Sequence, residues 1–287
     1  MSDAVRYPRP SDTRLVGMVF DEDGRHSRFE LVPGVARGDG GLYGGAATAA
    51  SIVALEAATG RGALWVTTQF VATSAQGDVI ECEAEVLARG RNVAQAQVTG
   101  RTGGRVLFVS LGSTASPRPG GLEGQYVAMP ECTPPAESET ILFNLGRPDA
   151  FLGFSQRVEF RQAVVAPGRS AASPLTMWAR LVERTPLTPA AVAFMADMVP
   201  AAIVRASGIA GGGISLDNSL RFGAVPEDEE WVLLELSGDM AWGAHAHGSV
   251  RVWTVDGSLI AVGGQSVNMM QMTAFEAGER RRAGQQT

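Results

Sequence analysis

Two pairs of residues set a period for this chain. Phe222 follows Phe70 by 152 positions (222 − 70 = 152), and Ser266 follows Ser113 by 153 (266 − 113 = 153). A nearly constant offset within 287 residues means that one unit occurs twice. In the first copy, strands are expected over 13–20 and 26–32, on either side of the turn Asp21-Glu22-Asp23-Gly24. A helix follows over 42–59, stopped by Gly60, and then strands over 63–73, 78–100 with a turn at Gly90, and 105–114. In the second copy the strands fall at 155–165 and 174–182, the helix at 189–207, and further strands at 214–222, 230–238, 249–255 and 258–268. Both helices are made almost wholly of small or apolar residues, so every face has to be covered. Strands with alternating polarity have one apolar face to offer as that cover. The expectation is an α+β fold in which each helix is wrapped by its own antiparallel sheet, the two units lying side by side as a pseudo-dimer. Residues 115–139, rich in Pro, Gly, Ser and Glu, break the pattern. This places an N-terminal domain at 1–120, a linker at 121–145 and a C-terminal domain at 146–287.

Charge and cysteine usage remove several functional classes. The formal charge is −6 and no basic cluster precedes Glu279-Arg280-Arg281-Arg282, which argues against a nucleic-acid partner. Cys82 and Cys132 have no metal-site spacing and make no disulfide framework. The first residues lack the layout of a secretory signal, and no uninterrupted apolar segment reads as long enough to span a bilayer. A cytoplasmic protein without a membrane partner is expected. His245 and His247 share one face of a strand, but only His26 remains elsewhere in the chain, so solvated or structural histidines are expected and no metal.

One carboxylate stands out. Thr188 is suited to N-cap the second helix and Pro189 to its first turn, yet Asp197 lies inside the apolar run that follows. A carboxylate there must recover its lost hydration from hydrogen bonds or from a water-filled cleft, as a structural cap or as an active-site group. Pro200 removes the N–H that would pair with the carbonyl of Ala196, so the helix is expected to bend or restart beside Asp197.

The order of elements, together with certain short motifs, resembles the acyl-CoA thioesterase II family, whose fold is a tandem, or double, hotdog. In the first half the resemblance rests on Leu42-Tyr43-Gly44-Gly45, the Gln69-Phe70 strand and the hairpin from Glu83 through Gly90 to Val98. In the second half it rests on Asp197 with Pro200 three residues later, on Ser215-Leu216-Asp217-Asn218-Ser219, and on Gln265 in the last strand. It covers most of the chain. The resemblance implies hydrolysis of acyl-CoA to free CoA and a carboxylic acid, with no cofactor and no covalent intermediate. It also implies a catalytic set of Asp197, Ser215 and Gln265 that orients water at the thioester carbonyl, and association of hotdog sheets into a homo-oligomer. Chemically the set is coherent, since a carboxylate takes a proton, a hydroxyl donates and accepts, and an amide holds what remains. The family usually has a His after the motif's Asp and a Trp further on, where this chain has Asn218 and Arg221. That departure bears on the substrate-facing surface.

Each residue also has a plainer reading. Ser215 satisfies backbone at the entry to a strand and Gln265 points to solvent, while Asp217, on the face of Ser215 under a period of two, is a second carboxylate of the site or, more plainly, orders a turn or pairs across the sheet. Met195, Met198, Met269, Met270 and Met272 line an acyl pocket or simply pack the core. Gly44, Gly45 and the run from Gly211 to Gly213 are candidates for polarising the carbonyl. Two other functions stay open: an acyl-CoA-binding scaffold on a decayed thioesterase fold, and a hotdog enoyl-CoA hydratase, whose usual Asp and His motif does not occur here.

Overall fold

A computed structural model describes residues 6–118, 120–141, 153–165, 174–208 and 211–271. In the first half α1 (Pro10–Val16) leads into β1 (Val19–Phe20) and β2 (His26–Glu30), then α2 (Gly44–Thr59), β3 (Gly62–Phe70), β4 (Val79–Arg89), β5 (Val93–Thr102) and β6 (Arg105–Ala115). The second half contributes β7 (Glu139–Thr140), β8 (Val158–Gln162), β9 (Leu175–Leu181), α3 (Pro189–Ala196) and α4 (Val199–Ser207). It continues with β10 (Gly211–Ser215), β11 (Asp217–Phe222), β12 (Val232–Trp242), β13 (His245–Thr254) and β14 (Leu259–Gln271).

All the strands join one sheet in the order β1-β2-β4-β5-β6-β3-β11-β14-β13-β12-β9-β8-β7, with β10 beside β14. Read outward from its centre, the order β3-β6-β5-β4-β2 is answered by β11-β14-β13-β12-β9. The seam is antiparallel, with Asp217 opposite Gln69, Ser219 opposite Thr67 and Arg221 opposite Trp65. Thr67 and Ser219 are separated by the repeat length (219 − 67 = 152), so the pseudo-two-fold axis passes between them. The offset in the sequence is thus the register of the seam.

The sheet of the first half packs on α2 and that of the second on α4, while α3 lies against α2. The helix α2 can be wrapped this closely because its faces carry Ala and β-branched residues, and Ile52 and Leu55 are fully buried. Each of these two side chains contributes about 1.5–3 kcal/mol relative to an exposed state. Gly60, in the left-handed region at φ 67°, ends the helix where expected. The stretch Pro189–Ser207 is long and apolar enough to cross a bilayer, contrary to the sequence reading, but α3 is buried on all sides by protein.

Another expectation is overturned. The segment read as a strand over 13–20 is helix in its first half, the end of α1, and strand only at Val19–Phe20. Pro10 presets its first turn, Asp12 favours its N-terminal end, and Gly17 closes it at φ 70°. Asp12 is buried and accepts from the Thr188 hydroxyl at 2.9 Å, so α1 is tied to the start of α3. Part of the expected linker lies on the outer face of the second half, where Met129 and Cys132 pack against the Trp178, Leu233 and Trp253 cluster.

Candidate active site

The helix expected over 189–207 is two helices. Thr188 caps α3, its hydroxyl accepting from the amide of Ala191 at 3.1 Å. The chain then breaks at Asp197 (φ −77°, ψ 53°) and Met198 (φ −122°, ψ 6°) and restarts as α4. Pro200 offers no N–H to the carbonyl of Ala196, which takes the amide of Met198 at 2.8 Å instead. This break turns Asp197 out of the helical ladder and toward the first half of the chain.

Asp197 is 8% exposed, and its carboxylate has two side-chain donors. The side-chain amides of Gln265 and of Asn218, the latter at 3.0 Å, both donate to Oδ1, and the backbone N–H of Gly45 lies near enough to favour the charged form. Burial pushes the pKa of Asp197 up to about 6, although the donors and the charge of Arg37 oppose the shift. A carboxyl poised there is ionised at neutral pH and still a serviceable proton acceptor. The amide oxygen of Gln265, Oε1, is buried without a protein partner and remains an acceptor beside the carboxylate.

The Gly45 amide belongs to the first turn of α2, whose positive end favours a negative charge. The approach needs glycine. A Cβ on Gly44 would lie 2.6 Å from Asp197 Oδ2 and 3.0 Å from the ring of Phe70, and one on Gly45 would lie 2.7 Å from the carbonyl of Phe194. Tyr43, just before these glycines, is buried, and its hydroxyl donates to the carbonyl of Phe194 at 2.9 Å and to that of Asp197 at 3.4 Å.

Asp197, Gly44 and Tyr43 border a cavity of about 340 Å³ whose walls come from both halves. Phe70, Val71, Leu107 and Phe108 line it from the first half, Pro200, Ile214 and Leu216 from the second. Its lining is mainly apolar, with Asp197, Ser215, Thr73 and Arg37 as the polar side chains. Arg37 is itself held by Asp39, at 3.0 and 2.8 Å.

Of the three residues named from the sequence, Asp197 and Gln265 are in direct contact, and Ser215 lines the same cavity without a hydrogen bond to either. Asp217 and Ser215 do not share a face. The chain bends at Leu216, whose N–H donates to Ser266 and whose carbonyl accepts from Phe70. One residue is thereby inserted between β10 and β11, turning Asn218 inward to the carboxylate. Asp217 accepts from the amide of Ser266 at 2.6 Å and orders the sheet, its plainer reading. Asn218 had been read as a departure affecting substrate; it is a partner of Asp197. Tyr43 stands in the sequence only as part of a motif and Gly45 as a candidate for polarising the carbonyl, and nothing local announces their contacts with α3.

The methionines follow their plainer reading where they are described. Met195 and Met198 are core residues and do not line the cavity, Met269 packs at the edge of the core, and the side chain of Met270 and all of Met272 lie outside what is described. The basic run at 280–282 also lies outside them. Among the described residues no group of three or more His, Cys, Asp or Glu side chains is placed to hold a metal. His247 approaches Asp239 at 3.5 Å and is 42% exposed.

Comparison with known proteins agrees with this geometry. Residues 32–115 match the family model of the acyl-CoA thioesterase N-terminal domain, and residues 130–269 that of the acyl-CoA thioesterase C-terminal domain. A crystal structure of a protein assigned as a thioesterase from Novosphingobium aromaticivorans is 30% identical, with 88% of this chain and 97% of that chain covered and a TM-score of 0.79. Two more distant structures share the fold. One is a hotdog protein from Alicyclobacillus acidocaldarius, 20% identical, covering 91% of this chain and 98% of its own, with a TM-score of 0.74. The other is the acyl-CoA thioesterase II TesB2 from Mycobacterium marinum, 21% identical, covering 91% and 98%, with a TM-score of 0.71. A search of curated proteins finds no match. With a duplicated hotdog unit, family matches in both halves and a relative that covers nearly all of the chain, this protein belongs to the acyl-CoA thioesterase family and is a thioester hydrolase.

Proposed function

We propose that the protein hydrolyses acyl-CoA by direct attack of water, with Asp197 as the general base. The observation that carries this reading is a buried carboxylate, pushed up to about 6 by burial, at the edge of a largely apolar cavity. The acyl chain lies against Phe70, Leu107 and Phe108, and the thioester carbonyl lies beside the first turn of α2. Water held between Asp197 and Gln265 Oε1 gives a proton to Asp197 as its oxygen bonds to the thioester carbon. The tetrahedral intermediate expels CoA as thiolate, the C–S bond breaks, and the proton passes to the sulfur or to solvent. Asn218 and Gln265 hold Oδ1 in place, and Ser215 faces the bound substrate from the opposite strand. The only reacting groups are the carboxylate, water and substrate, so the scheme uses no cofactor and no covalent enzyme intermediate.

The test is a single turnover in ¹⁸O-labelled water with a panel of acyl-CoA substrates, followed by thiol release. Label in the released carboxylic acid and none in the protein is expected. Label in the side chain of Asp197 would mean that this carboxylate attacks the thioester itself, and the general-base role would be withdrawn.

A further inference from the structure

The break that exposes Asp197 leaves backbone groups without their helical partners. In an unbroken helix the carbonyl of Phe194 would accept the N–H of Met198. Here Met198 donates to Ala196. The carbonyl of Phe194 is buried beside a fully buried ring, where an unmet acceptor is costly. Its donor comes from the other repeat: the hydroxyl of Tyr43, at 2.9 Å, with the carbonyl of Asp197 as a second acceptor at 3.4 Å.

Tyr43 is fixed at both ends. Its ring stacks on Phe154 with centroids 3.6 Å apart and planes 1° from parallel, and it meets Phe194 edge-on at 5.4 Å. Its backbone is the N-cap position of α2, its carbonyl accepting from Ala46 and Ala47. Next along, a Cβ on Gly44 would lie 2.6 Å from Asp197 Oδ2, so the first turn of α2 lies against the carboxylate, whose charged form the Gly45 amide favours. One rigid side chain therefore ties the helix end that supplies the amide to the helix end that supplies the carboxylate.

We propose that Tyr43 is a positioning residue that sets the distance between the Gly45 amide and the Asp197 carboxylate. It acts through the backbone of Phe194 and Asp197 and not on the substrate. Without the hydroxyl, the Phe194 carbonyl loses its donor, the end of α3 shifts to find another, and the carboxylate drifts from Gly45 and from the cavity. The inference rests on Asp197 being the base.

Tyr43→Phe keeps the ring and removes only the hydroxyl. The expected result is a fall in kcat of about tenfold, the size of one buried hydrogen bond expressed as a rate, with KM within about twofold of wild type at this level of effect. The acid limb of the kcat profile should move to higher pH, because a carboxylate that moves away from the Gly45 amide is harder to ionise. Phe154→Leu is the second variant, for use if the first does not fold: it keeps the hydroxyl, frees the ring, and should give a smaller fall in kcat. Wild-type kcat and an unmoved acid limb in a folded Tyr43→Phe protein, even one with a lowered Tm, would overturn the proposal, as would wild-type kcat in Phe154→Leu. Asp197→Asn measured alongside separates the two readings: if it is active, the base is misassigned, whereas if it is inactive and Tyr43→Phe is fully active, only the role of Tyr43 falls.

Discussion

Gly45 and Asp197 occupy the same position in the two repeats, 152 residues apart, and they meet: the amide of one favours the ionised carboxylate of the other. The duplicated positions have diverged into complementary roles. The first copy keeps a bare backbone that can approach closely, and the second carries the charge. The same holds along the sheet, where Ala63 and Gly112 in the first copy answer Ser215 and Gln265 of the site.

One expectation concerns the base itself. Asp197→Asn preserves shape and can keep hydrogen bonds to its neighbours, so folding and binding of an acyl-CoA should persist while turnover falls by about 10²-fold or more. Thiol release, with binding measured by calorimetry on a non-hydrolysable thioether analogue, checks both halves of the statement. Unimpaired turnover would remove Asp197 from the mechanism.

The pH dependence follows from the same group. The base must be ionised, and burial holds its pKa near 6, so kcat should rise about tenfold per pH unit below pH 6 and level off above it. Gln265 and Asn218 donate to the charged form and lower the value, so Gln265→Leu or Asn218→Leu should move the limb upward. A limb that stays in place in both variants would mean that these amides do not act on Asp197 in solution.

Gly44→Ala tests the close approach. The added Cβ would sit 2.6 Å from Asp197 Oδ2, with the ring of Phe70 at 3.0 Å, so the carboxylate has to move. A loss of turnover of about tenfold or more is expected for a displacement of this kind in an otherwise folded protein. Glu56→Gln, which alters the only carboxylate on α2, is the contrasting variant and should keep turnover within about threefold, a change of under 1 kcal/mol in the barrier. Equal damage from both would place chemistry on the first helix as well.

Glu56 bears instead on stability. It is fully buried, accepting from the amide of Ala63 at 2.8 Å and lying 3.4 Å from Arg9. Burial outweighs these contacts and raises its pKa from 4.5 to about 7. A raised carboxyl pKa means that the folded state keeps a proton the unfolded chain releases. Its stabilising effect is complete below about pH 4.5 and is lost as pH rises to about 7. Glu56→Gln should therefore flatten the fall in Tm between pH 5 and 7.5, and an unchanged slope would show that Arg9 keeps Glu56 ionised throughout.

Chelation gives the simplest check on the scheme. Because the proton is taken by a carboxylate and the carbonyl needs only protein dipoles, thioesterase activity should survive extended treatment with EDTA. Activity lost to the chelator and restored by a divalent cation would require a different mechanism.

Much of this was legible before any coordinates. The repeat of 152 residues, the two apolar helices, the turns at Gly24, Gly60 and Gly90, and a carboxylate stranded near Pro200 are local or periodic features, so the sequence alone determines them. The helix break was legible too, since the missing N–H of proline acts within one turn. What the break faces was not. Asn218 rather than Asp217 turns inward because Leu216 is bent out by pairing with Ser266 and Phe70, residues 50 and 146 positions away, and a period of two cannot register an inserted residue. The helix α1 was misread for a related reason: its cap signals were present in Pro10 and Gly17, but the tie between Asp12 and Thr188 spans 176 residues. The hydroxyl of Tyr43 beneath Phe194 and the amide of Gly45 at Asp197 depend on how two repeats dock about the axis between Thr67 and Ser219, and Glu56 meets Arg9 from 47 residues away. Only tertiary structure decides them, because hydrogen bonds and desolvation are set by distance in space, and the chain brings these groups together across half its length.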